Sequence, residues 1–156
     1  MTKIALKAKR DYSVRKHHPW VFSGAIWKLD DEIEEGELVE VIAADGNCIC
    51  VGHYQIGSIA VRVLTFDGES INRDFWKARL QSALDMRLKI GIADNQQNNT
   101  YRLVHGEGDL LPGLVIDVYG KTAVVQAHSV GMHVCRNEIA EALMEVMQGR
   151  VENVFY

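Results

Sequence analysis

The hydrophobic period of this chain changes once, near residue 68, and that change limits the fold more than any other feature. Before it, apolar residues alternate, the pattern of strands with one buried face. "KIAL" is a short strand. "LVEVIAADGNCICVGHY" holds two β-branched runs around Asp45-Gly46, a pair that suits a primed hairpin turn. "SIAVRVLTF" is a third strand, with Ile59, Val61 and Val63 on one face and Ala60, Arg62 and Leu64 on the other. "DYSVRKHH" makes one or two helical turns that stop at Pro19, since the residue before a proline avoids the helical region. Strands with turn signals and almost no helix predict a small β-barrel or sandwich ending near Asp67.

From Ser70 to about Ile90 the period becomes helical. Trp76, Leu80, Leu84 and Leu88 follow at i+4, with Ser70 and Asp74 as cap candidates. "YRLV", "LVIDVY" and "GKTAVVQAHSV" read as strands, with a turn at Gly120. A second amphipathic helix is expected over residues 133–147, with Ile139, Leu143 and Met147 at i+4 and Gly149 closing it. "VENVFY" opens one more strand. The fold class is α+β: a small barrel, then a small α/β domain with helices packed on a short sheet. Chain ends are normally loose and polar, so an apolar final strand predicts a natural protein that continues past Tyr156.

A chain of 156 residues suits one medium domain or two small ones. With 47% hydrophobic and 24% charged residues, its composition is that of a soluble globular protein. No apolar run approaches the ~20 residues of a membrane span, and "MTKIALKAKRDYSVRKHH" lacks the apolar core of a signal peptide. Cys48, Cys50 and Cys135 are an odd set without C-x-x-C spacing. That fits a reducing cytoplasm and not a disulfide scaffold.

The net charge of -4 taken globally disfavours nucleic acid as a partner, but the charge is segregated. Lys3, Lys7, Lys9, Arg10, Arg15, Lys16 and Lys28 are opposed in the first segment by Asp11 alone. Asp30, Asp31, Glu32, Glu34, Glu35, Glu37 and Glu40 then form an acidic block. One basic face and one solvated acidic loop follow from this. Within "AKRDYSVRKHHPWVFSGAI", cations that neutralise phosphates sit among Tyr12, Trp20 and Phe22, which could stack on unpaired bases. Large aromatics are mostly buried, so Trp20 and Phe22 are expected in the barrel core. The candidate RNA face is Lys7, Lys9, Arg10, Arg15, Lys16 and His17, with Ser23 and Gly24 offering close backbone approach.

Other chemistry has little support. "GEGDLLPG" does not keep the spacing of a dinucleotide loop, precedes a strand instead of a helix, and holds two acids that repel phosphate. Pro112-Gly113 suits a tight turn between adjacent strands. The six histidines show no metal-ligand spacing, and no G-x-S-x-G elbow marks a nucleophile. Cys135 falls at a predicted helix start, where a thiolate is stabilised, although a packing role suits it better.

"HPWVFSGAI", "VGHYQIGSIAVRVLTFD" and "YRLVHGEGDLLPGLVIDVYG", in that order, resemble the N-terminal portion of a bacterial family. These are the S-adenosylmethionine-dependent methyltransferases of large-subunit (23S) rRNA that act at cytosine C5. The resemblance covers essentially the whole chain. It implies an N-terminal RNA-binding PUA domain over residues 1–67 and a middle α/β domain over 68–156, incomplete at its C-terminus. The family's methyltransferase domain, with its methyl-donor loop and catalytic cysteines, has no counterpart in these residues. Catalytic, cofactor and metal residues are therefore none, and S-adenosylmethionine is expected only for the longer protein. Ribosomal RNA is the implied partner, no membrane is implied, and a homodimer is left open. The rival reading is a stand-alone, non-enzymatic PUA-type RNA-binding protein. Two positions depart from the family's glycine loop: Gly108 replaces a frequent serine and Leu110 a frequent glycine. The second is expected to stiffen the turn.

Overall fold

The computed structural model describes residues 1–29 and 32–156, so Asp30 and Asp31 of the acidic block lie outside the described residues. Two compact units form, one of Met1–Glu69 with Ser129–His133 and one of Ser70–His128 with Val134–Tyr156.

The first unit is a six-stranded curled sheet with one helical turn, α1 (Tyr12–Arg15). Its strands are β1 (Thr2–Leu6), β2 (Trp20–Phe22), β3 (Ile26–Lys28), β4 (Leu38–Ile42), β5 (Cys48–Tyr54) and β6 (Ile59–Thr65), in the order β2-β6-β5-β4-β1-β3. The expected hairpin is β4 against β5, antiparallel. Its turn differs from the primed type. The Gly46 N–H donates to Ala43 O and the Ala43 N–H to Asn47 O, both at 2.9 Å. Of the pair Asp45-Gly46, only Gly46 takes a positive φ, +86°. A turn through Ala44 and Asp45 followed by a left-handed glycine also matches strand twist. It further lets the Asp45 carboxylate accept the Asn47 N–H at 3.0 Å. Ile4, Leu6, Val14, Val21, Val39, Val41, Val61 and Val63 form the core.

This unit is closed by a segment distant in sequence. A Cβ built on Gly131 would stand 2.1 Å from Cγ of His53, so only glycine lets Ser129–His133 lie on that ring. His53 is buried at 2% exposure.

The second unit places helices α2 (Arg73–Lys89) and α4 (Arg136–Val146) with a sheet of β7 (Thr100–His105), β8 (Leu114–Tyr119), β9 (Thr122–Ala127) and β10 (Asn153–Phe155). The order is β10-β9-β8-β7, with β10 parallel to β9 and the other pairs antiparallel. Trp76, Leu80 and Leu84 are buried as their spacing predicts. The cap is neither Ser70 nor Asp74. Asn72 accepts the Phe75 N–H at 3.1 Å, and Asp74 adds a favourable charge in the first turn.

The helix expected over 133–147 begins earlier and is broken. Helix α3 (Val130–Val134) ends at Cys135, whose ψ of 4° leaves helical geometry, and α4 follows. The break falls where the chain passes from one unit to the other. Ile139, Leu143 and Met147 are fully buried, as their period requires.

The "GEGDLLPG" stretch is the connection between β7 and β8. Gly106–Asp109 is a single 3-10 turn, and the Leu114 N–H donates to Leu111 O at 3.0 Å across Pro112-Gly113. Gly113 has φ +87°, as the turn chemistry predicts. Leu110 stands at φ +58° and is 55% exposed. A left-handed leucine carries roughly 1–2 kcal/mol of strain, partly offset because glycine loses more chain entropy, roughly 0.5–1 kcal/mol. Leu110→Gly is therefore expected to raise stability by up to about 1 kcal/mol. A lower midpoint of thermal unfolding in the variant would contradict this.

Candidate nucleic-acid interface

The basic segment runs from the end of β1 through α1 to β3, and its shape follows from two turns. The Arg10 N–H donates to Lys7 O at 3.1 Å, with Lys9 left-handed at φ +63°. Val14 is the one residue of α1 that is buried, so the helix is pinned by one apolar anchor and turns its polar side chains outward. Lys7, Lys9, Arg10, Arg15, Lys16, His17, Ser23 and Gly24 are all exposed.

They are not equivalent. Lys9, Arg10 and Gly24 line one groove of about 390 Å³ together with Tyr12, Ser13, Phe22 and Ala25. Lys7 lies beside it, its Nζ donating to Gly24 O at 3.0 Å. Lys16 sits over the Tyr12 ring, 5.9 Å from its centre. His17 instead stacks on Phe66 at 4.4 Å, with φ +61°. Arg15 spends its guanidinium on Asp11 at 2.6 Å and Asp45 at 2.7 Å. Each carboxylate is held below its usual range, Asp11 chiefly by the Arg15 hydrogen bond and Asp45 chiefly by the Asn47 N–H. Arg15 is thus a neutralised cation. The Asp11 contact is an i,i+4 pair readable from spacing; the Asp45 contact comes from folding.

Nothing lies within 4 Å of where a Cβ on Gly24 would stand. The fold itself therefore does not demand glycine there, and the backbone faces open space beside the groove.

The aromatics correct the expectation of a buried pair. Phe22 is 44% exposed and Trp20 is only partly covered. With His18 they form a cluster with ring centres 5.8–6.2 Å apart, edge-to-face for His18–Trp20 and Trp20–Phe22 and tilted for His18–Phe22. Strand β2 is three residues long and sits at one end of the sheet. Val21 takes the core position, so its two neighbours point the other way. The same alternation in β3 exposes Trp27 at 75%, an aromatic just beyond the basic segment and its Tyr12, Trp20 and Phe22. The signal was the inward Ile26 beside it.

The acidic stretch does more than meet solvent. Glu35 accepts the Ile56 N–H at 2.8 Å, and Glu37 accepts from Thr2 Oγ1 and from the Glu34 N–H.

Asp109 of the glycine loop faces inward. It takes both terminal nitrogens of Arg87, one at 2.8 Å, and the His105 N–H at 2.6 Å. Its charge is therefore committed to the fold. The three cysteines are free thiols. Burial pushes Cys50 up to about 12 and Cys135 up to about 11, and raises Cys48. Cys135, at the start of α4, is accordingly a packing thiol and no activated thiolate. Among the described residues no three His, Cys, Asp or Glu side chains gather as a metal site, and no helix is long and apolar enough to cross a membrane.

A curled half-barrel carrying this groove has a recognised counterpart. Residues 4–66 match the PUA-like domain family. The candidate interface thus lies wholly within the PUA-like domain. Across most of the chain there is similarity to proteins named ribosomal RNA large subunit methyltransferase I. The Alteromonas mediterranea protein is 37% identical over 146 residues, covering 92% of this chain and 36% of that relative. The Escherichia coli protein is 36% identical over 143 residues, covering 90% and 36%. That of Aliivibrio fischeri is 38% identical over 144 residues, covering 91% and 36%. The chain therefore spans 36% of the length of these curated relatives. Among solved structures, a Streptococcus mutans protein assigned as a SAM-dependent methyltransferase superposes with a TM-score of 0.84 at 18% identity, over 98% of this chain and 40% of that one. A second methyltransferase structure, complexed with SAH, gives 0.84 at 16% identity, over 99% and 40%. At such identities the likeness concerns the fold, which extends through both units.

Proposed function

We propose that this chain is the RNA-recognition and scaffold portion of an S-adenosylmethionine-dependent rRNA cytosine-5 methyltransferase, and that alone it transfers no methyl group. The carrying observation is the groove of the PUA-like domain, where Lys9 and Arg10 stand beside Tyr12 and Phe22. Cations bind the phosphate backbone and exposed rings stack on unpaired bases. Lys7 and Lys16 extend the charge, and Gly24, with nothing within 4 Å of where its Cβ would stand, admits a strand closely beside the exposed Ser23. Ribosomal RNA is the partner because the similar curated proteins carry that substrate in their names.

The thiol chemistry supports catalytic silence. Methylation at cytosine C5 needs a thiolate that adds to C6 and makes C5 nucleophilic. Burial holds Cys50 and Cys135 as thiols at neutral pH, and Cys48 is raised as well. In this reading, methyl-donor binding and the catalytic cysteine fall outside the 36% of the curated relatives' length that this chain matches.

Arg10→Glu combined with Lys16→Glu tests the face. Each phosphate contact on single-stranded RNA contributes ~0.7 to the slope of log K against log salt. The double variant is expected to lose about tenfold or more in affinity for an unpaired rRNA fragment and to flatten the slope by ~1.4. An unchanged affinity and slope would refute the proposed face.

A further inference from the structure

A second pocket lies in the second unit, where the loop entering β7 meets the β8–β9 turn and the residues after α4, with a volume of about 190 Å³. A cavity of about 150 Å³ holds one benzene ring, so one planar heterocycle fits by size. Asp94, Asn98, Asn99, Tyr101, Gly120 and Arg150 all line it.

Its chemistry is one-sided. Asn98 accepts the Thr100 N–H through Oδ1 at 3.0 Å, which turns its NH2 elsewhere. Asn99 uses Oδ1 for the Thr100 hydroxyl, and its Nδ2 comes 3.5 Å from where a Cβ on Gly120 would stand. Both amide NH2 groups therefore remain as donors. Arg150 commits Nε and Nη2 to Asp94 at 2.9 and 2.7 Å, leaving Nη1. Burial raises the Tyr101 phenol, with Asp94 adding to the effect, so the hydroxyl keeps its proton. The pocket thus presents donors and asks for acceptors.

Charge decides which acceptors. The bidentate Asp94 cancels the Arg150 cation, so the pocket carries no net positive charge to offset a phosphate or a carboxylate. A neutral ring bearing carbonyl oxygens satisfies the donors without needing that offset. Asp94 is itself held at φ +55°, and backbone strain of this kind gathers at ligand-binding sites.

We infer that this pocket binds one unpaired nucleobase through its ring carbonyls, making a second RNA contact on the second unit. The choice of a nucleobase rests on the RNA reading above; the donor set and its neutrality do not.

The test is a titration of the 156-residue chain with uridine, cytidine and inorganic phosphate, followed by the side-chain amide NMR signals of Asn98 and Asn99. The nucleosides are expected to shift both amides saturably in the millimolar range, and phosphate is expected to shift neither. Asn99→Asp keeps the Oδ1 acceptor, exchanges the donor for a charge, and should weaken nucleoside binding about tenfold. Its unfolding midpoint confirms that the chain still folds. Lysine and arginine variants of the first-unit groove should leave the titration unaltered. Nucleoside shifts that persist while an rRNA fragment fails to bind would sink the RNA reading alone. No shift with nucleosides at ten millimolar, an equal response to phosphate, or an indifferent Asn99→Asp would each overturn the pocket assignment.

Discussion

Replacing Asp109 with alanine is expected to cost about 3–5 kcal/mol of stability. Among the described residues Asp109 is the carboxylate paired with Arg87, and both side chains are nearly covered, at 9% and 12% exposure. Two parallel contacts join them, and Arg87 Nε also donates to Arg102 O at 3.1 Å. Alanine leaves a guanidinium away from water with its charge uncompensated, and it frees the His105 N–H as well. Each is a desolvation cost without return. For a chain of this size the loss corresponds to a fall in midpoint of about 10 °C. Asp109→Asn keeps an acceptor while removing the charge and should fall between. Glu152→Ala is the matched control, since the Lys121–Glu152 pair is exposed on both sides. It should change stability by less than about 1 kcal/mol. Equal small losses in the two alanine variants would show that Arg87 finds water once Asp109 is gone.

Acid should weaken the first unit well above the pH at which carboxylates titrate. Burial lowers His53 to about 4 from its usual 6.5. The unfolded chain therefore takes up this proton near pH 6.5, while the folded chain refuses it until about pH 4. Between these values the unfolded state binds more protons, so stability falls as pH falls. The whole span is worth on the order of 3 kcal/mol. It is fully present above pH 6.5 and gone below 4. Asp94, held low chiefly by its hydrogen bond from Arg150, acts in a different window. Its share is present above the ordinary carboxylate range and is lost below it. Urea midpoints at pH 7, 5.5 and 4 separate the two. His53→Phe keeps a flat ring under Gly131 and should remove the upper part of the pH dependence. If the variant and the parent lose stability in parallel between pH 6.5 and 4, the titrating group lies elsewhere.

The elements that the sequence made legible are those set by a local repeat. Leu80, Leu84, Ile139 and Leu143 are buried because a period of 3.6 leaves one face to cover. The β4–β5 hairpin and the Pro112-Gly113 turn follow from residues adjacent in the chain. What stayed hidden depends on distant partners. Nothing near Gly131 in the sequence announces His53, nor does anything near Arg15 announce Asp45. The parallel pairing of β1 with β4 is likewise invisible to period alone. For the candidate interface, the residue types of the basic segment were readable from composition, whereas their division was not. Arg15 is neutralised, His17 leans on Phe66, and Lys9 with Arg10 is left to line the groove. Phe22 and Trp20 depart from the buried position expected of them because a three-residue end strand has only one side to bury.

The order in which this chain is made now matters. All six strands of the first unit precede residue 70, yet Ser129–His133, which covers His53, is translated much later. Synthesis proceeds at ~5–20 residues per second, so the half-barrel waits on the order of several seconds with that ring uncovered. A contact of such long sequence separation also slows folding from denaturant, because the intervening loop must close first. During that interval the nascent half-barrel is the state most open to chaperones, to proteases and to pairing with the wrong strand.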